Sequence, residues 1–254
     1  MQLIQQISEW KSIRKNIHPT IGFVPTMGNL HAGHASLLKR ARQENEITVL
    51  SLFVNPTQFN DKNDYQRYPR TLDADLEWAR QLGIDYVFSP QYEDLYPDNY
   101  HYQVNENNIS QILEGEYRPG HFAGMLTVVL KLLSLVQATK AYFGEKDYQQ
   151  LQLVRGLVEA FFLDTEIVGC DIIRESSGLP MSSRNNLLNS AEKNLAEKFA
   201  NIFKELKLPT HAVIQQLENA GIKVDYIQDY DNRRFAAVKV GNIRLIDNRK
   251  LLEV

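Results

Sequence analysis

Residues 22–34 read Gly-Phe-Val-Pro-Thr-Met-Gly-Asn-Leu-His-Ala-Gly-His, and this stretch does most to decide the fold. Gly22–Val24 is apolar enough to be a buried strand, and we expect Pro25 to end that strand. Gly28 supplies a turn, and the chain from Gly33 onward has the apolar spacing of a helix. The stretch therefore predicts a strand, a turn and a helix in direct succession.

Two histidines lie at the start of this predicted helix. His31 and His34 are three residues apart, which places both on one side of it. A helix start exposes unpaired N–H groups and the positive end of the peptide dipole, and Gly33 lets a ligand approach the backbone closely. The pattern indicates an anion site suited to phosphate. A catalytic zinc is disfavoured, because no Cys or Glu is spaced to complete the three protein ligands that it needs.

Composition limits the class of protein. The 254 residues are 43% hydrophobic and 23% charged, which suits one large or two modest globular domains. A net charge of −3 provides no basic field that would attract nucleic acid or anionic lipid. The single cysteine, Cys170, fits a reducing compartment, and the N-terminus lacks the apolar core of a signal peptide. We therefore expect a soluble, cytoplasmic protein without nucleic-acid or membrane partners.

Apolar runs alternate with helical patterns over the first two thirds of the chain. The further candidate strands are Ile47–Val54, Ile84–Phe88, Ala141–Phe143 and Glu166–Ile173. The candidate helices after the first are Thr71–Leu82, with Thr71 as N-cap, His121–Val136 and Tyr148–Phe161. This alternation predicts an α/β fold with a doubly wound parallel sheet, which is a Rossmann-like architecture.

The order of elements changes after the polar segment Glu175–Pro180. Two helical patterns come first and three candidate strands follow, near Ser190–Leu206, Thr210–Ala220, Val224–Gln228, Phe235–Val240 and Asn242–Ile246. Segregated helices and strands are typical of an α+β domain. We expect residues 1–173 to form the Rossmann-like N-terminal domain and residues 174–254 a smaller α+β C-terminal domain.

Polar motifs follow several of the candidate strands, where an open α/β sheet binds its ligands. These motifs are Pro25–His34, Asn55–Gln58, Gly144–Asp147 and Met181–Arg184. Lys146 offers a point charge for phosphate, and Arg184 offers a planar cation beside the hydroxyls of Ser182 and Ser183. We expect the motifs to converge on one crevice that holds a nucleotide tail.

Two glutamines could hold a carboxylate without neutralising it. A lysine in place of Gln58 or Gln150 would stabilise the resting charge of an attacking carboxylate as well as its transition state. The alternative interpretation of both residues is that they are ordinary surface glutamines.

Assembled in this way, the motifs resemble the pantothenate synthetase (pantoate–β-alanine ligase) family, within the HIGH-signature nucleotidylyltransferase superfamily. The matching segments, in family order across nearly the whole chain, are Val24–His34 with Ser36 and Leu37, Phe53–Phe59, Tyr68–Thr71, Glu114–Gly115 with Arg118–Phe122, Gly144–Gln150, Met181–Asn185 and Arg244–Asn248. Related adenylyltransferases share the two-histidine signature but lack the Asn-Pro-Thr-Gln-Phe and Gly-Glu-Lys-Asp blocks. The resemblance is therefore specific.

The resemblance implies an acid–amine ligase with two half-reactions. ATP and (R)-pantoate first give pantoyl adenylate and pyrophosphate, and β-alanine then gives pantothenate and AMP. It also implies magnesium held by the ATP phosphates rather than by side chains, a homodimer, and a lid role for the C-terminal domain.

Site residues follow from the same resemblance, position by position. Catalytic roles are implied for His31, His34, Lys146 and Arg184. The ATP-binding residues would be Met27, Gly28, Asn29, Leu30, His31, Ala32, Gly33, His34, Gly144, Glu145, Lys146, Asp147, Ile173, Met181, Ser182, Ser183 and Arg184. Gln58 and Gln150 would hold pantoate and β-alanine, with Asn55 nearby.

Three other functions remain to be weighed against the ligase. A nucleotidyltransferase that adenylylates a phosphorylated acceptor would need a cationic acceptor pocket where this chain has Gln58 and Gln150. A tRNA-binding module is disfavoured by the net charge of −3 and the lack of a basic stripe. A nucleotide sensor without catalysis would not need so complete a set of phosphate-facing residues.

Overall fold

The computed structural model describes residues 1–251, apart from the side chain of Lys62. The chain forms two compact units. The first unit comprises Met1–Glu145 and Gln149–Cys170, and the second comprises Lys146–Tyr148 and the chain from Asp171 onward. The division between residues 173 and 174 stays a prediction, and the compact units of the structure separate three residues earlier.

The first unit contains a six-stranded parallel sheet, which confirms the predicted Rossmann-like fold. Its strands are β1 (Gln2–Ile4), β2 (Ile21–Thr26), β3 (Ile47–Leu52), β4 (Tyr86–Phe88), β5 (Lys140–Gly144) and β6 (Glu166–Cys170). The helices between them are α1 (Ile7–Arg14), α2 (Ala32–Glu44), α3 (Lys62–Arg67), α4 (Leu72–Gln81), α5 (Tyr92–Leu95), α6 (Glu114–Tyr117), α7 (His121–Val136) and α8 (Tyr148–Ala160). Short 3₁₀ turns lie at Pro56–Gln58, Ile109–Gln111 and Glu145–Asp147.

The strand order reverses direction at the middle of the sheet. The order is β1-β4-β3-β2-β5-β6, so the chain moves to one side of β2 through β3 and β4 and to the other side through β5 and β6. Open α/β sheets bind ligands at such a reversal, outside the carboxyl ends of the strands. The loop after Thr26, which carries both histidines, starts from one of these ends.

Burial explains why the central strands have continuous apolar sequences. Val24 of β2 and Leu50 of β3 are fully buried, and they pack with Leu38 and Ala41 of α2 in one cluster. A parallel strand covered on both faces needs apolar residues at successive positions. Full burial of each such side chain contributes roughly 1.5–3 kcal/mol.

Pro25 lies within β2, so the expectation that it ends the strand is wrong. In the described ladder β2 pairs with β5 only at Gly22 and Phe23, whereas it pairs with β3 as far as Thr26. Because one edge of the strand is open at Pro25, a residue without an N–H group is tolerated there.

Other element boundaries also differ from the predictions. β6 ends at Cys170 rather than Ile173, so the buried Cys170 is the last residue of the strand and not its middle. β1 and α1 precede every element that the sequence predicted. Thr71 makes no side-chain capping bond, and its hydroxyl donates instead to Asp75 within the same helical turn.

The second unit is α+β, as predicted. Two helices precede a three-stranded antiparallel sheet in the order β7-β8-β9. These elements are α9 (Ser190–Phe203), α10 (Thr210–Asn219), β7 (Lys223–Tyr230), β8 (Arg233–Val240) and β9 (Ile243–Lys250). The sheet is longer than predicted, because each strand extends beyond its apolar centre into charged residues that pair across the ladder. Phe199, Phe203, Leu217 and Val238 are fully buried at its core.

Within the described residues, no helix has both the length and the apolar character that a bilayer crossing requires.

Candidate active site

The loop between β2 and α2 is held by a carboxylate from α4. Asp75 is buried, and its two oxygens accept the backbone N–H groups of Asn29 at 2.9 Å and Leu30 at 2.7 Å. The loop needs this support because Gly28 (φ 78°) and Asn29 (φ 52°) both adopt left-handed backbone conformations. Asp75 thus fixes the path of the chain immediately before the histidines.

The two histidines form a close pair at the start of α2. Their ring centroids are 4.1 Å apart and their planes are inclined by 34°. His31 is the N-cap residue, and its Nδ1 atom accepts the backbone N–H of Gly33 at 3.1 Å. Because Nδ1 is an acceptor, the proton of the neutral ring lies on Nε2, which can then donate to an anion.

This capping bond corrects one expectation about the anion site. The sequence predicted open backbone N–H groups at the helix start, but the N–H of Gly33 is bonded to His31. The positive end of the α2 dipole remains, since a 13-residue helix begins at Ala32. The positive end of the peptide dipole therefore lies beside the paired histidine rings.

A buried amide network lies at the end of β3. Asn55 is 1% exposed, and its Oδ1 atom accepts bonds from Thr57 and from the hydroxyl of Tyr96. Its Nδ2 atom donates to Oε1 of Gln58 at 3.2 Å and to the carbonyl of Gly124 at 3.1 Å. All the bonding capacity of the Asn55 amide is therefore used within the protein, and one of its bonds orients Gln58.

The phenol of this network is protonated at neutral pH and donates to Asn55. Desolvation raises the pKa of Tyr96 to about 12, so the hydroxyl stays protonated well above neutral pH. The network then has a single hydrogen-bond direction, from Tyr96 through Asn55 to Gln58.

Gln58 contacts the histidine-bearing loop. Its Nε2 atom lies 3.0 Å from Sδ of Met27, which joins the segment after β3 to the segment after β2. Gln58 is buried, so its interpretation as an ordinary surface glutamine is wrong. The structure thus brings together Met27, Asn55 and Gln58, three of the predicted site residues.

His121 bonds the backbone of Gln58. Its Nδ1 atom lies 2.8 Å from the backbone carbonyl of Gln58, and its Nε2 atom lies 3.2 Å from Nη1 of Arg118. A carbonyl only accepts and a guanidinium only donates, so Nδ1 carries the proton and Nε2 is the acceptor. These bonds give the buried His121 a structural role.

The adjacent glutamines of α8 have different environments. Gln149 is buried and bonds three backbone groups, those of Ile109, Ile112 and Glu114. Gln150 is half-buried and lies one residue further along α8. Gln149 therefore has a structural role. The ligand-binding role of Gln150 stays a prediction from the sequence.

Lys146 belongs to the second unit, although it follows β5 in sequence. Its Nζ atom lies 3.9 Å from a carboxylate oxygen of Asp147, and both residues are in the 3₁₀ turn Glu145–Asp147. Its side chain is 22% exposed and therefore only partly buried.

The segment from Ile173 to Arg184 is ordered by short-range bonds within the second unit. The carbonyl of Ile173 accepts the N–H of Met181 at 2.9 Å, which brings these two predicted site residues together. Ser182 caps the 3₁₀ turn Ser183–Leu187, and its hydroxyl accepts the N–H of Arg184 at 3.3 Å. Asn185 is buried and donates to Glu175 and to the carbonyl of Pro180.

The described residues contain no group of three or more His, Cys, Asp or Glu side chains arranged to hold a metal ion.

Asp75 and Tyr96 are the contributors that sequence reasoning missed. The sequence analysis assigned no role at the site to either residue. The Tyr68–Thr71 motif, just before α4, was the one signal near Asp75, and nothing in it indicated a bond to residues 29 and 30.

Comparisons with known proteins agree with one another. A family model described as pantoate-beta-alanine ligase matches residues 1–250. The pantothenate synthetase of Coxiella burnetii (strain RSA 331 / Henzerling II) is 59% identical over 248 residues, which cover 97% of this chain and 96% of the relative. That of Legionella pneumophila (strain Corby) is 53% identical over 250 residues, which cover 98% and 99%.

A solved structure extends the similarity to the fold. The pantoate-beta-alanine ligase of Francisella tularensis, complexed with beta-gamma ATP and beta-alanine, is 44% identical and has a TM-score of 0.92. The match covers 98% of this chain and 97% of that one.

Proposed function

The chain belongs to the pantoate–β-alanine ligase family, and from this premise we propose that it condenses (R)-pantoate with β-alanine, using ATP. In the first step the carboxylate of pantoate attacks the α-phosphorus of ATP, and pyrophosphate leaves. In the second step the amine of β-alanine attacks the acyl carbon of pantoyl adenylate. AMP leaves, one amine proton is released, and pantothenate is formed.

Attack by a carboxylate on phosphorus needs placement and charge stabilisation rather than a nucleophile from the protein. His31 and His34 are assigned to the phosphates, because a ring donor and the α2 dipole both favour negative charge at this helix start. Lys146 and Arg184 are assigned to neutralise phosphate charge, as a partly buried ammonium and a planar cation. Ser182 and Ser183 add hydroxyl donors.

The remaining ATP contacts are assigned to residues from three parts of the chain. These are Met27, Gly28, Asn29, Leu30, Ala32 and Gly33 before and within α2, Gly144 at the end of β5 with Glu145 and Asp147 after it, and Ile173 and Met181 in the second unit. Gly144 has no atom within 4 Å of the place where a Cβ would lie, so a nucleoside could approach its backbone.

Gln58 and Gln150 are assigned to pantoate and β-alanine. The observation that carries this assignment is the buried, uncharged amide of Gln58, oriented by Asn55 beside the loop that bears the histidines. An uncharged donor can hold the attacking carboxylate without stabilising its resting charge strongly. Asn55 has its bonds within the protein, so its part is to orient Gln58.

Magnesium fits this site only as a companion of ATP. Since the described residues provide no cluster of ligating side chains, the ion would take oxygens from the triphosphate and from water. When bound, it would neutralise phosphate charge.

Release of pyrophosphate from ATP tests the proposal directly. The purified protein would be given ATP and magnesium alone, and then with (R)-pantoate, with pantoate and β-alanine, with a phosphorylated acceptor, or with tRNA. We expect release to require pantoate, and AMP and pantothenate to appear only when β-alanine is also present. Release that needs the phosphorylated acceptor or tRNA would select another member of the superfamily.

A Lys146→Ala variant tests the charge assignment. Loss of one charged donor from such a site costs on the order of 100–1,000-fold in rate, so adenylate formation should fall by that factor with the fold intact. Lys193→Ala, on the exposed face of α9, is the matched control. Near-normal release by Lys146→Ala would remove Lys146 from the site.

Three further properties belong to the proposal. A homodimer is expected from the family and is tested by sedimentation velocity. A lid role for the second unit is expected from the same source. A cytoplasmic location is supported by the chain's single, buried cysteine, Cys170.

A further inference from the structure

The motifs that resemble the family include one segment, Arg244–Asn248, for which the reaction itself provides no role. Its last two residues, Asp247 and Asn248, are each 2% exposed and lie on β9 of the second unit. Adjacent residues of a strand point to opposite faces of the sheet, so the two side chains act on different neighbours.

Asn248 bonds the segment that carries Lys146. Its Nδ2 atom donates to the backbone carbonyl of Lys146 at 2.9 Å. Its Oδ1 atom accepts from Nη1 of Arg233 on β8. Because a guanidinium can only donate, Arg233 determines which way the Asn248 amide faces, and the donor side must then point to Lys146.

Arg233 also contacts the next turn of that segment. Its guanidinium lies 3.8 Å from the ring centroid of Tyr148, and the same ring lies 6.3 Å from that of Phe235. Phe235 is the register partner of Asn248, so Arg233, Phe235 and Asn248 share one face of the sheet. Residues 146–148 are thus held at both ends by this face.

The opposite face of β9 anchors the approach to Arg184. Asp247 accepts two bonds from Arg174, at 2.8 and 2.9 Å, and Arg174 also donates to the carbonyl of Gly178. Arg174 further donates to the carbonyl of Asn248 at 3.3 Å. Asp247 and Asn248, successive residues of β9, therefore hold the segment that leads to Arg184 and the segment that carries Lys146.

We propose that Asn248, oriented by Arg233, is the positioning residue that holds the Lys146 segment for phosphate binding. This inference rests on the proposed function, because it takes Lys146 as the phosphate ligand. Lys146 lies in the three-residue 3₁₀ turn Glu145–Asp147, and such a turn has weaker internal hydrogen bonding than an α-helix. The hydrogen bond from the buried Asn248 amide to the carbonyl of Lys146 restrains this turn in addition to the turn's own hydrogen bonds.

Asn248→Asp separates the two bonds of the amide. An aspartate still accepts from Arg233, but it presents an oxygen to the carbonyl of Lys146 and loses the donated bond. Asn242→Asp, at an exposed position where β9 begins, adds the same charge without touching residues 146–148 and serves as the matched control. Both variants would be measured in the full chain by pantoate-dependent pyrophosphate release.

We expect Asn248→Asp to slow pyrophosphate release by roughly tenfold, the effect of losing one buried hydrogen bond, and Asn242→Asp to leave it unchanged. In a Lys146→Ala background, Asn248→Asp should cause less than about twofold further loss, since residues that act as a unit are not additive. The same multiplicative loss in both backgrounds would indicate a general structural role and overturn the proposal.

Amide hydrogen exchange gives a readout that does not depend on activity. Exchange at residues 146–148 should be faster in Asn248→Asp than in the wild type and in the control. Unchanged exchange there would also overturn the proposal. If Asn248→Asp does not fold, Arg233→Lys is the second variant, because it loses the planar guanidinium and its contact with the Tyr148 ring. It should give the same faster exchange at residues 146–148 and the same non-additive loss of rate.

Failure of the proposed function and failure of the positioning role give different results. Near-normal pyrophosphate release by Lys146→Ala would refute the phosphate role of Lys146, and with it the use of the Asn248 bond for phosphate binding. Faster exchange at 146–148 in Asn248→Asp would still establish that Asn248 holds the segment. A slow Lys146→Ala variant beside an unaffected Asn248→Asp variant would refute the positioning role alone.

Discussion

The carboxylate of Asp75 on α4 accepts the backbone N–H of Asn29 at 2.9 Å, although the two residues are 46 positions apart in the sequence. It also accepts the N–H of Leu30, the next residue of the loop. Asn29 has a positive φ of 52°, which a residue other than glycine adopts at a cost. The two N–H groups donated to Asp75 offset that cost. The path of the chain into His31 therefore depends on a distant helix.

Asp75→Asn should weaken both the fold and the use of ATP. An asparagine retains one acceptor oxygen but presents an NH₂ group to the other backbone donor, which leaves a buried group unsatisfied. We expect about 1–3 kcal/mol less stability in urea unfolding and a higher KM for ATP. Asp73→Asn, exposed on the same helix, is the control. If the two variants behaved alike, Asp75 would not hold the loop.

Gly124→Ala should disturb the segment that ends in Gln58. A methyl group on Gly124 of α7 would overlap the carbonyl of Thr57 and lie 2.8 Å from the backbone nitrogen of Gln58. We expect a loss of about 1–3 kcal/mol, typical of overpacking, and a higher KM for pantoate. The measurements are thermal unfolding and initial rates at varied pantoate.

A second glycine provides the control for that substitution. Gly156 lies within α8, and no atom is within 4 Å of the place where its Cβ would be. Gly156→Ala should stabilise the protein by up to about 1 kcal/mol, because alanine has the higher helix propensity. Equal effects of the two substitutions would contradict the close approach at Gly124.

Gln58→Glu should impair pantoate use more than ATP use. The substituted side chain keeps an oxygen for Asn55 but places a negative charge where we assign the pantoate carboxylate. Repulsion between two carboxylates in a buried site should raise the KM for pantoate by about tenfold or more. Gln81→Glu, at the exposed end of α4, controls for the added charge. Equal shifts in both Michaelis constants would show that the assignment is wrong.

Gln149→Glu and Gln150→Glu should separate a structural from a functional glutamine. Gln149 donates to the carbonyls of Ile109 and Ile112, each at 2.7 Å, and a carboxylate would face both of them. We expect Gln149→Glu to lower the free energy of unfolding by at least 1–3 kcal/mol, a rough value for one unsatisfied buried group. Gln150→Glu should keep its stability and lose pantoate use. The reverse pattern would exchange the two roles.

Acid should destabilise the protein through Glu44. The hydrogen bond from Arg40, with others from Tyr142 and Lys140, lowers the pKa of Glu44 from 4.5 to about 2. Because the folded pKa lies below the unfolded one, this contribution is present above pH 4.5 and is lost as the pH falls toward 2. Glu44→Gln should therefore be less stable than the wild type at pH 7. This difference in stability should shrink as the pH falls from 4.5 to about 2.

Urea unfolding at several pH values measures this difference. Glu77→Gln removes an exposed ion pair with Arg80 and is the control, for which we expect little change at any pH. A constant gap between Glu44→Gln and the wild type down to pH 2 would contradict the assignment.

Much of the first unit followed from local pattern. The continuous apolar run at β3 predicted a strand buried on both faces, and the run is buried. The turn at Gly28 was predicted from residue type and has the expected positive φ. Such features depend on a few neighbouring residues, so periodicity and turn chemistry suffice to predict them. Boundaries were less accurate, as at Pro25, because they depend on which strand lies alongside.

Side-chain partners could not be derived in this way. The pairing of Asn55 with Tyr96 and Gly124 joins segments 41 and 69 residues apart. The Asn248 bond to Lys146 spans 102 residues. Both asparagines lie in motifs that the sequence singled out, but their bonding partners depend on what the folded chain places beside them.

The sequence by itself determined the alternating architecture, the family to which the motifs point and the residue types available for phosphate and carboxylate. These are encoded in short, contiguous patterns whose physical meaning is local. Only the tertiary structure decided that Asp75 holds the histidine loop and that Lys146 is held by β9. Hydrogen-bond partners far apart in sequence are selected by packing, because burial forces each polar group to find a partner wherever the fold brings one within reach.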